Sequence, residues 1–399
     1  MLKFILILEA FIFIFMPPLL PFNCIHILAL ISYVFIAFNV EIRNLIKSIF
    51  RDSTMLLIAI GILLLSTVIN GTGLFVELLV LPIEAIPICS VFSYFILKNN
   101  YDICDIIIGA GVIQAFIAVT AYIVPAFQGF LIILMARNGY DADVMGFMSG
   151  WRCFGLSKQL TYAMPVAQSV ISCICLYKGI HVSSKYYIPI PFLVLSSMIN
   201  ARTGFVVFIV GVLIILLSGN KVKMTKLFVL TVFSFFAIGL FMSMLSRNEN
   251  TSEWIFDGVN DISAVLMGKE TGDYSYFDAV NTGYSYQVPS ELDKLLFGTG
   301  KRVQGSKTGF YTDVGFINDI WLGGIFYTIF ISLFFMLNSY RWATHLQINV
   351  RRRYIIGLGS IVILSLLDLK GQVFSWQEIT MLWTVGYCYW KIETKLHSA

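Results

Sequence analysis

The sequence predicts an all-α, polytopic integral membrane protein with about twelve transmembrane helices and one large polar loop before the tenth. Three observations carry that prediction. Hydrophobic residues make up 58% of the 399 and charged residues only 13%, where soluble domains run to about a quarter charged. The apolar residues fall in runs long enough to cross about 30 Å of hydrocarbon. Lysine and arginine gather in alternate connecting segments, as the cytoplasmic side of a membrane demands.

The spans are expected at roughly 2–20, 22–40, 53–70, 73–97, 103–124, 159–177, 186–200, 203–219, 227–245, 316–338, 354–369 and 376–391. The first run, Leu2 to Phe15, has the length of a signal-peptide core. It lacks a small-x-small cleavage site and further spans follow at once, so it reads as the first helix. The chain thus divides into 1–245, with nine helices and an outer loop at about 125–158; 246–315, the large loop; and 316–399, with three helices.

Orientation follows from the cations. With the N-terminus inside, Lys3, Arg43, Lys47, Arg51, Lys98, Lys178, Lys185, Lys221, Lys223, Lys226, Arg341, Arg351, Arg352, Arg353, Lys391 and Lys395 all fall on the cytoplasmic side. The short outer turns hold Arg202 and Lys370. Both termini are expected in the cytoplasm. The net charge of +4 is scattered along the chain, which argues against a nucleic-acid partner. Cys24, Cys89, Cys104, Cys153, Cys173, Cys175 and Cys388 lie mostly in apolar runs without metal-ligand spacing and read as small core residues.

The polar mass is then outside. Within it, residues 297–320 read FGTGKRVQGSKTGFYTDVGFINDI, preceded by PSELDKLL (289–296), an expected short helix with Ser290 as N-cap. The glycines and Lys301, Arg302 and Lys307 come close to a P-loop, but Ser306 displaces the lysine by one position and no strand precedes it. The chemistry that survives is phosphate binding by backbone N–H groups and cations, against a plain solvated turn. Arg152 in SGWRCFGLSK and Arg202 in INARTGF are each expected at the outer end of a helix, with Lys158 beside the first. Either they snorkel to headgroups, or with the 301–307 cations they form a positive outer cavity for a diphosphate, since guanidinium grips phosphate bidentately. Asp313 precedes the tenth helix and is a candidate base; capping that helix or pairing with Arg302 are its structural alternatives. Tyr311, Tyr284 and Trp254 are candidate sugar-stacking residues. Asp141 and Asp143 match the acid pair of metal-dependent glycosyltransferases in a pattern too short to carry weight, and the dispersed histidines support no metal site. Glu9, Glu77 and Glu84 lie inside spans and read as ties between helices, with proton coupling the alternative.

WRCFGLS (151–157), NARTGF (200–205), and LLFGTG (295–300) followed by TDVGFINDIWLGGIFY (312–327) resemble the O-antigen polymerases of the Wzy type, relatives of the O-antigen ligases. The likeness extends to the architecture of many spans with a large outer loop in the second half. In the ligases a His-Asn pair precedes that late helix. Asp313-Val314 stands here, which favours polymerase. The resemblance implies a bacterial inner-membrane glycosyltransferase working at the periplasmic face without a cofactor. Its substrate would be an oligosaccharide on undecaprenyl diphosphate, drawn from the membrane lipid, with a chain-length regulator protein as partner. Arg152 and Arg202 would neutralise the departing diphosphate, Asp313 would be the base, and Lys158, Lys301, Arg302, Lys307 and Tyr311 would hold substrate. The rival expectations are a flippase or transporter for the same lipid, an O-antigen ligase, and a metal-using integral glycosyltransferase.

Overall fold

In a computed structural model of the protein, the described residues are 1–18, 23–73, 79–138, 152, 155–158, 162–218, 286–303, 312–345, 350–371, 373–374 and 377–396. The expected span at 227–245 lies outside them, as do Glu77, Asp141, Asp143, Cys153, Trp254, Tyr284, Lys307, Tyr311 and most of the large loop. Among the described residues every regular element is helical. We label them α1 (Leu2–Phe15), α2 (Cys24–Phe38), α3 (Val40–Asp52), α4 (Thr54–Ile69), α5 (Ile86–Lys98), α6 (Ile103–Ile123), α7 (Pro125–Arg137), α8 (Ala163–His181), α9 (Ile190–Met198), α10 (Arg202–Ser218), α11 (Leu292–Phe297), α12 (Gly315–His345), α13 (Val350–Lys370) and α14 (Gln377–Leu396). Four of the described helical stretches are long and apolar enough to cross a membrane: Leu81–Lys98, Ile103–Ile123, Ala163–His181 and Gly315–Thr344. A fifth arises if the bent pair α2–α3 is counted as one span. The protein is therefore membrane-embedded.

The chain forms two compact units: Met1–Leu28 with Lys98–Leu266, and Ala29–Leu97 with Met267–Ala399. In the first, α1 and α6 run parallel. Lys3 Nζ lies 3.1 Å from Asp105 Oδ2, and one turn on Ile7 packs where a Cβ at Gly109 would stand. Asp102 caps α6 by accepting from Cys104 N at 2.8 Å. Lys178, near the end of α8 and only 5% exposed, reaches Asp102 and Asp105 at 2.6 Å each, and Tyr186 OH donates to Asp105 at 2.6 Å. The heads of α1 and α6 and the tail of α8 therefore share one end. At the other end Ser197 Oγ donates to Pro165 O at 2.9 Å, and Gly204 of α10 packs against both.

In the second unit, α2 turns by 112° into α3 at Asn39, whose side chain accepts from Ile42 N at 3.2 Å and caps the new helix. VEIRNLIKSIFRD buries Ile42, Ile46 and Ile49, one face at helical spacing, and the first two pack on Val91 and Tyr94 of α5. This amphipathic helix is absent from the sequence-based spans, because its cations register there only as orientation signals. Leu81–Ala85 is a π-helical turn feeding α5. The α-helical donor to the Ile83 carbonyl would be residue 87, a proline with no N–H, and Tyr33 OH donates to that carbonyl instead at 2.7 Å. The half-buried Glu84 sits in this turn. Further along, α12 and α14 meet in an aromatic core where Phe334, Phe335, Phe374, Trp383 and Tyr387 pack with ring centroids 4.5–5.8 Å apart.

Three local expectations are corrected. The segment from 125, expected as loop, begins with helix α7, because Pro125 sits at its first turn and AFQGFLIILMA continues without a breaker. The expected 289–296 helix is α11, Leu292–Phe297, with Glu291 rather than Ser290 at the N-cap position and no side-chain cap bond. The Glu291 carboxylate is held by Lys294 at 2.7 Å instead. Arg152 lies in non-helical backbone, and the helix expected from 159 begins at Ala163.

Candidate functional site at a broken helix

The motif segments LLFGTG and TDVGFINDIWLGGIFY build one hydrogen-bonded assembly. α12 is interrupted at Gly324, whose φ of 78° and ψ of 179° no L side chain adopts readily. From Ile325 to His345 the second part rises roughly 31 Å, enough for the hydrocarbon alone, while Gly315–Gly323 is a separate short piece. A break strands the carbonyls ahead of it, and the GTG turn takes them. Thr299 N donates to Trp321 O at 2.6 Å and Gly300 N to Leu322 O at 3.0 Å. Ser66 Oγ of α4 also donates to Leu322 O, at 3.1 Å, and Asn70 Nδ2 donates to Gly298 O at 3.2 Å. The approach is backbone against backbone. A Cβ at Gly298 would stand 2.5–2.6 Å from Leu322 O and the amides of Gly323 and Gly324, and one at Gly324 would collide with Leu296 and Phe297. The glycines that resemble a phosphate loop are here the means of closing a helix break.

That anchoring aims the next residues. Lys301 is exposed, whereas Arg302 turns inward, 6% exposed, with its guanidinium 3.4 Å from Asp319 Oδ1 on the short piece of α12. The expectation that Arg302 faces an outer phosphate gives way to this buried pair. Asp368, 5% exposed near the end of α13, lies close enough to feel both Asp319 and Arg302. Its Oδ1 abuts Gly315, where a Cβ would overlap it. Tyr327, 1% exposed, feels all three charges. The head of α12 is held by Asn318, whose amide donates to Thr312 O at 2.9 Å and Val314 O at 3.0 Å. Thr312 Oγ1 accepts from Val314 N at 3.1 Å, and Asp313 between them is half-buried.

In the first unit the predicted residues Arg152 and Lys158 have non-helical backbone, bonded to helices of that unit. Gln128 Nε2 donates to Arg152 O at 3.0 Å, Leu156 N to Gln114 Oε1 at 3.3 Å, and Lys158 N to Phe15 O at 3.0 Å. Gln114 and Ser157 are fully buried there, and Gly155 leaves room for the Gln114 amide. Irregular backbone persists in a membrane protein where protein groups satisfy it, and Gln114 and Gln128 do so. Arg152 and Lys158 are half-buried, and Arg202 opens α10 at this same end, away from the Lys178 cluster; its side chain lies outside the described residues. The structure thus groups Arg152, Lys158 and the backbone of Arg202 in one unit, and Lys301, Arg302 and Asp313 in the other. Sequence reasoning passed over Asp368 and Tyr327. A lone acid in LSLLDLKG, an apolar run, was the available signal for the first.

Among the described residues no group of three or more His, Cys, Asp or Glu is placed to hold a metal. Among the described residues the cysteines form no disulfide, and Cys89, Cys175 and Cys388 are buried. No protein-family model matches this chain, and no curated protein is significantly similar to it.

Proposed function

We propose that this protein is a membrane-embedded glycan polymerase of the O-antigen type, with about twelve spans, both termini cytoplasmic and its long polar segments periplasmic. The observation that carries the reading is the assembly at the head of α12. There the two motif segments that resemble the polymerases are bonded into one unit that presents Asp313 beside a long apolar helix. Arg152 and Lys158 share an end of their own unit with the start of the Arg202 helix, which supports their assignment to one anionic headgroup.

In the proposed reaction the donor is a growing glycan on polyprenyl diphosphate and the acceptor a hydroxyl of a new lipid-linked repeat unit. The acceptor oxygen bonds to the anomeric carbon as the bond from that carbon to the diphosphate oxygen breaks, with oxocarbenium-like character between. Asp313 takes the hydroxyl proton. Arg152 and Arg202 neutralise the departing diphosphate, each worth about 3 kcal/mol by comparison with oxyanion donors. Lys158 and Lys301 add positive charge, and Arg302 is reassigned from substrate contact to holding Asp319.

The test is conversion of a defined lipid-linked unit into a ladder by purified protein. Asp313→Asn is expected to bind that unit and form no ladder, and Arg152→Lys to fail because a point charge does not reproduce the guanidinium fork. An unchanged ladder from Asp313→Asn removes it as the base. A second reading, transport of the same lipid, gains from the buried Arg302–Asp319 pair, since buried charges mark coupling sites in transporters. Single units failing to reach the outer face in an Arg152→Ala strain would favour it; single units delivered without polymer would favour the polymerase.

A further inference from the structure

We propose that the basic face of α3 binds anionic phospholipid in the leaflet where α2 ends, with Arg43, Lys47 and Arg51 on the headgroup. The inference goes beyond the proposed reaction and does not depend on it. A bend of 112° at Asn39 carries the chain out of the apolar helix α2 into α3, and the apolar α4 follows directly at Thr54. Where α2 and α4 stand across the bilayer, α3 lies close to its plane at the surface. The inner face of α3 is already committed, because Ile42 and Ile46 pack on Val91 and Tyr94. Away from that face Arg43, Lys47 and Arg51 recur every four residues, a stripe about 12 Å long. Lys47 and Arg51 are exposed and Arg43 is half-buried.

The charges of α3 favour an anion. Its two acids are held elsewhere: Glu41 accepts from Tyr94 OH at 2.6 Å, and Asp52 lies 2.9 Å from Lys391 Nζ. Among the described residues none of the three cations pairs with an acid. The apolar surface beside them decides which anion. Val40, 61% exposed, shares the outer face of α3 with Asn44, Lys47 and Arg51 at positions i, i+4, i+7 and i+11. Just before it Phe38 is 87% exposed, and Leu30, Ile31 and Val34 continue the exposed apolar surface along α2. A soluble acidic partner or free phosphate would leave that border in water. A phospholipid covers it, with acyl chains along α2 and the headgroup on the cations. Lysine and arginine suit such a boundary, since their methylenes rest on apolar groups while the charge reaches the polar layer.

Full-length protein with a benzophenone amino acid in place of Asn44 tests this in nanodiscs of phosphatidylglycerol and phosphatidylcholine in equal amounts. Photocrosslinking and mass spectrometry of the lipid adducts give the readout. The probe at Asn44 is expected to favour phosphatidylglycerol by about tenfold or more, since each cation near an anionic surface contributes roughly fivefold. The same probe in place of Leu30, on the apolar flank of α2, should take both lipids near their mole ratio. Arg43→Gln, Lys47→Gln and Arg51→Gln together should bring the Asn44 probe to that ratio as well. Lys47→Gln alone puts a good helix former at an exposed position and should cut the preference roughly fivefold. Equal capture of the two lipids by the Asn44 probe in the otherwise unaltered chain overturns the proposal, and so does a preference that persists in the triple variant. An Asn44 probe that takes no lipid while the Leu30 probe does also overturns it, and assigns the stripe to an acidic protein surface instead.

Discussion

Replacing Gly324 by alanine tests the account of the broken helix most directly. At φ 78° and ψ 179° an alanine costs roughly 1–3 kcal/mol in backbone conformation alone. Its Cβ would also drive into Leu296 and Phe297, pushing α11 and the GTG turn away. The bonds from Thr299 N to Trp321 O and from Gly300 N to Leu322 O depend on that contact, at about 1 kcal/mol each. The expected loss is about 3–5 kcal/mol, more than roughly a hundredfold in the folding equilibrium. Reversible unfolding by denaturing detergent in mixed micelles, followed by tryptophan fluorescence, reads it. Gly61→Ala is the matched control: it lies within α4, its Cβ would meet nothing within 4 Å, and helix propensity predicts a gain of up to about 1 kcal/mol. A Gly324→Ala protein within about 0.5 kcal/mol of wild type would show that the break and the turn do not depend on each other, and the reasoning would fail.

Two further perturbations probe the rest of the fold. Lys178→Met leaves Asp102 and Asp105 without their shared cation; because Asp102 is 51% exposed and partly screened, the expected loss is about 2–3 kcal/mol in the same unfolding assay. Tyr33→Phe strips the donor from the Ile83 carbonyl and should cost about 1 kcal/mol. In a Pro87→Ala background, which returns an N–H to the helix, the same change should cost close to nothing, and a double-mutant cycle measures the difference.

The spans were legible where an apolar run ends in a polar or helix-breaking residue, as at Asp102 before α6 and Arg202 opening α10. They were less legible where helices break inside an apolar run. DIWLGGIFY reads as continuous helix, and only the GTG turn some twenty residues earlier in the chain makes the break affordable to the backbone. Arg302 illustrates the same limit within the site. Flanked by Lys301 and glycines it reads as solvated, and its burial follows from where Thr299 and Gly300 are tied, which no local pattern records. Asn39 and the Ile42, Ile46 and Ile49 spacing were legible as an amphipathic helix. The cations of that stretch drew the reading towards topology instead.

The interruption at Gly324 also divides the electrical character of the longest of the described apolar helices. An unbroken rod of peptide dipoles shows its partial charges only at its two tips. Cut in two, this one gains a negative carbonyl end and a positive amide end facing each other across a single glycine, with the Leu296 backbone wedged at the join. The local field next to Asp319 and Tyr327 is therefore set by main-chain geometry as well as by side chains, and straightening the segment would rewrite it without changing one ionisable residue.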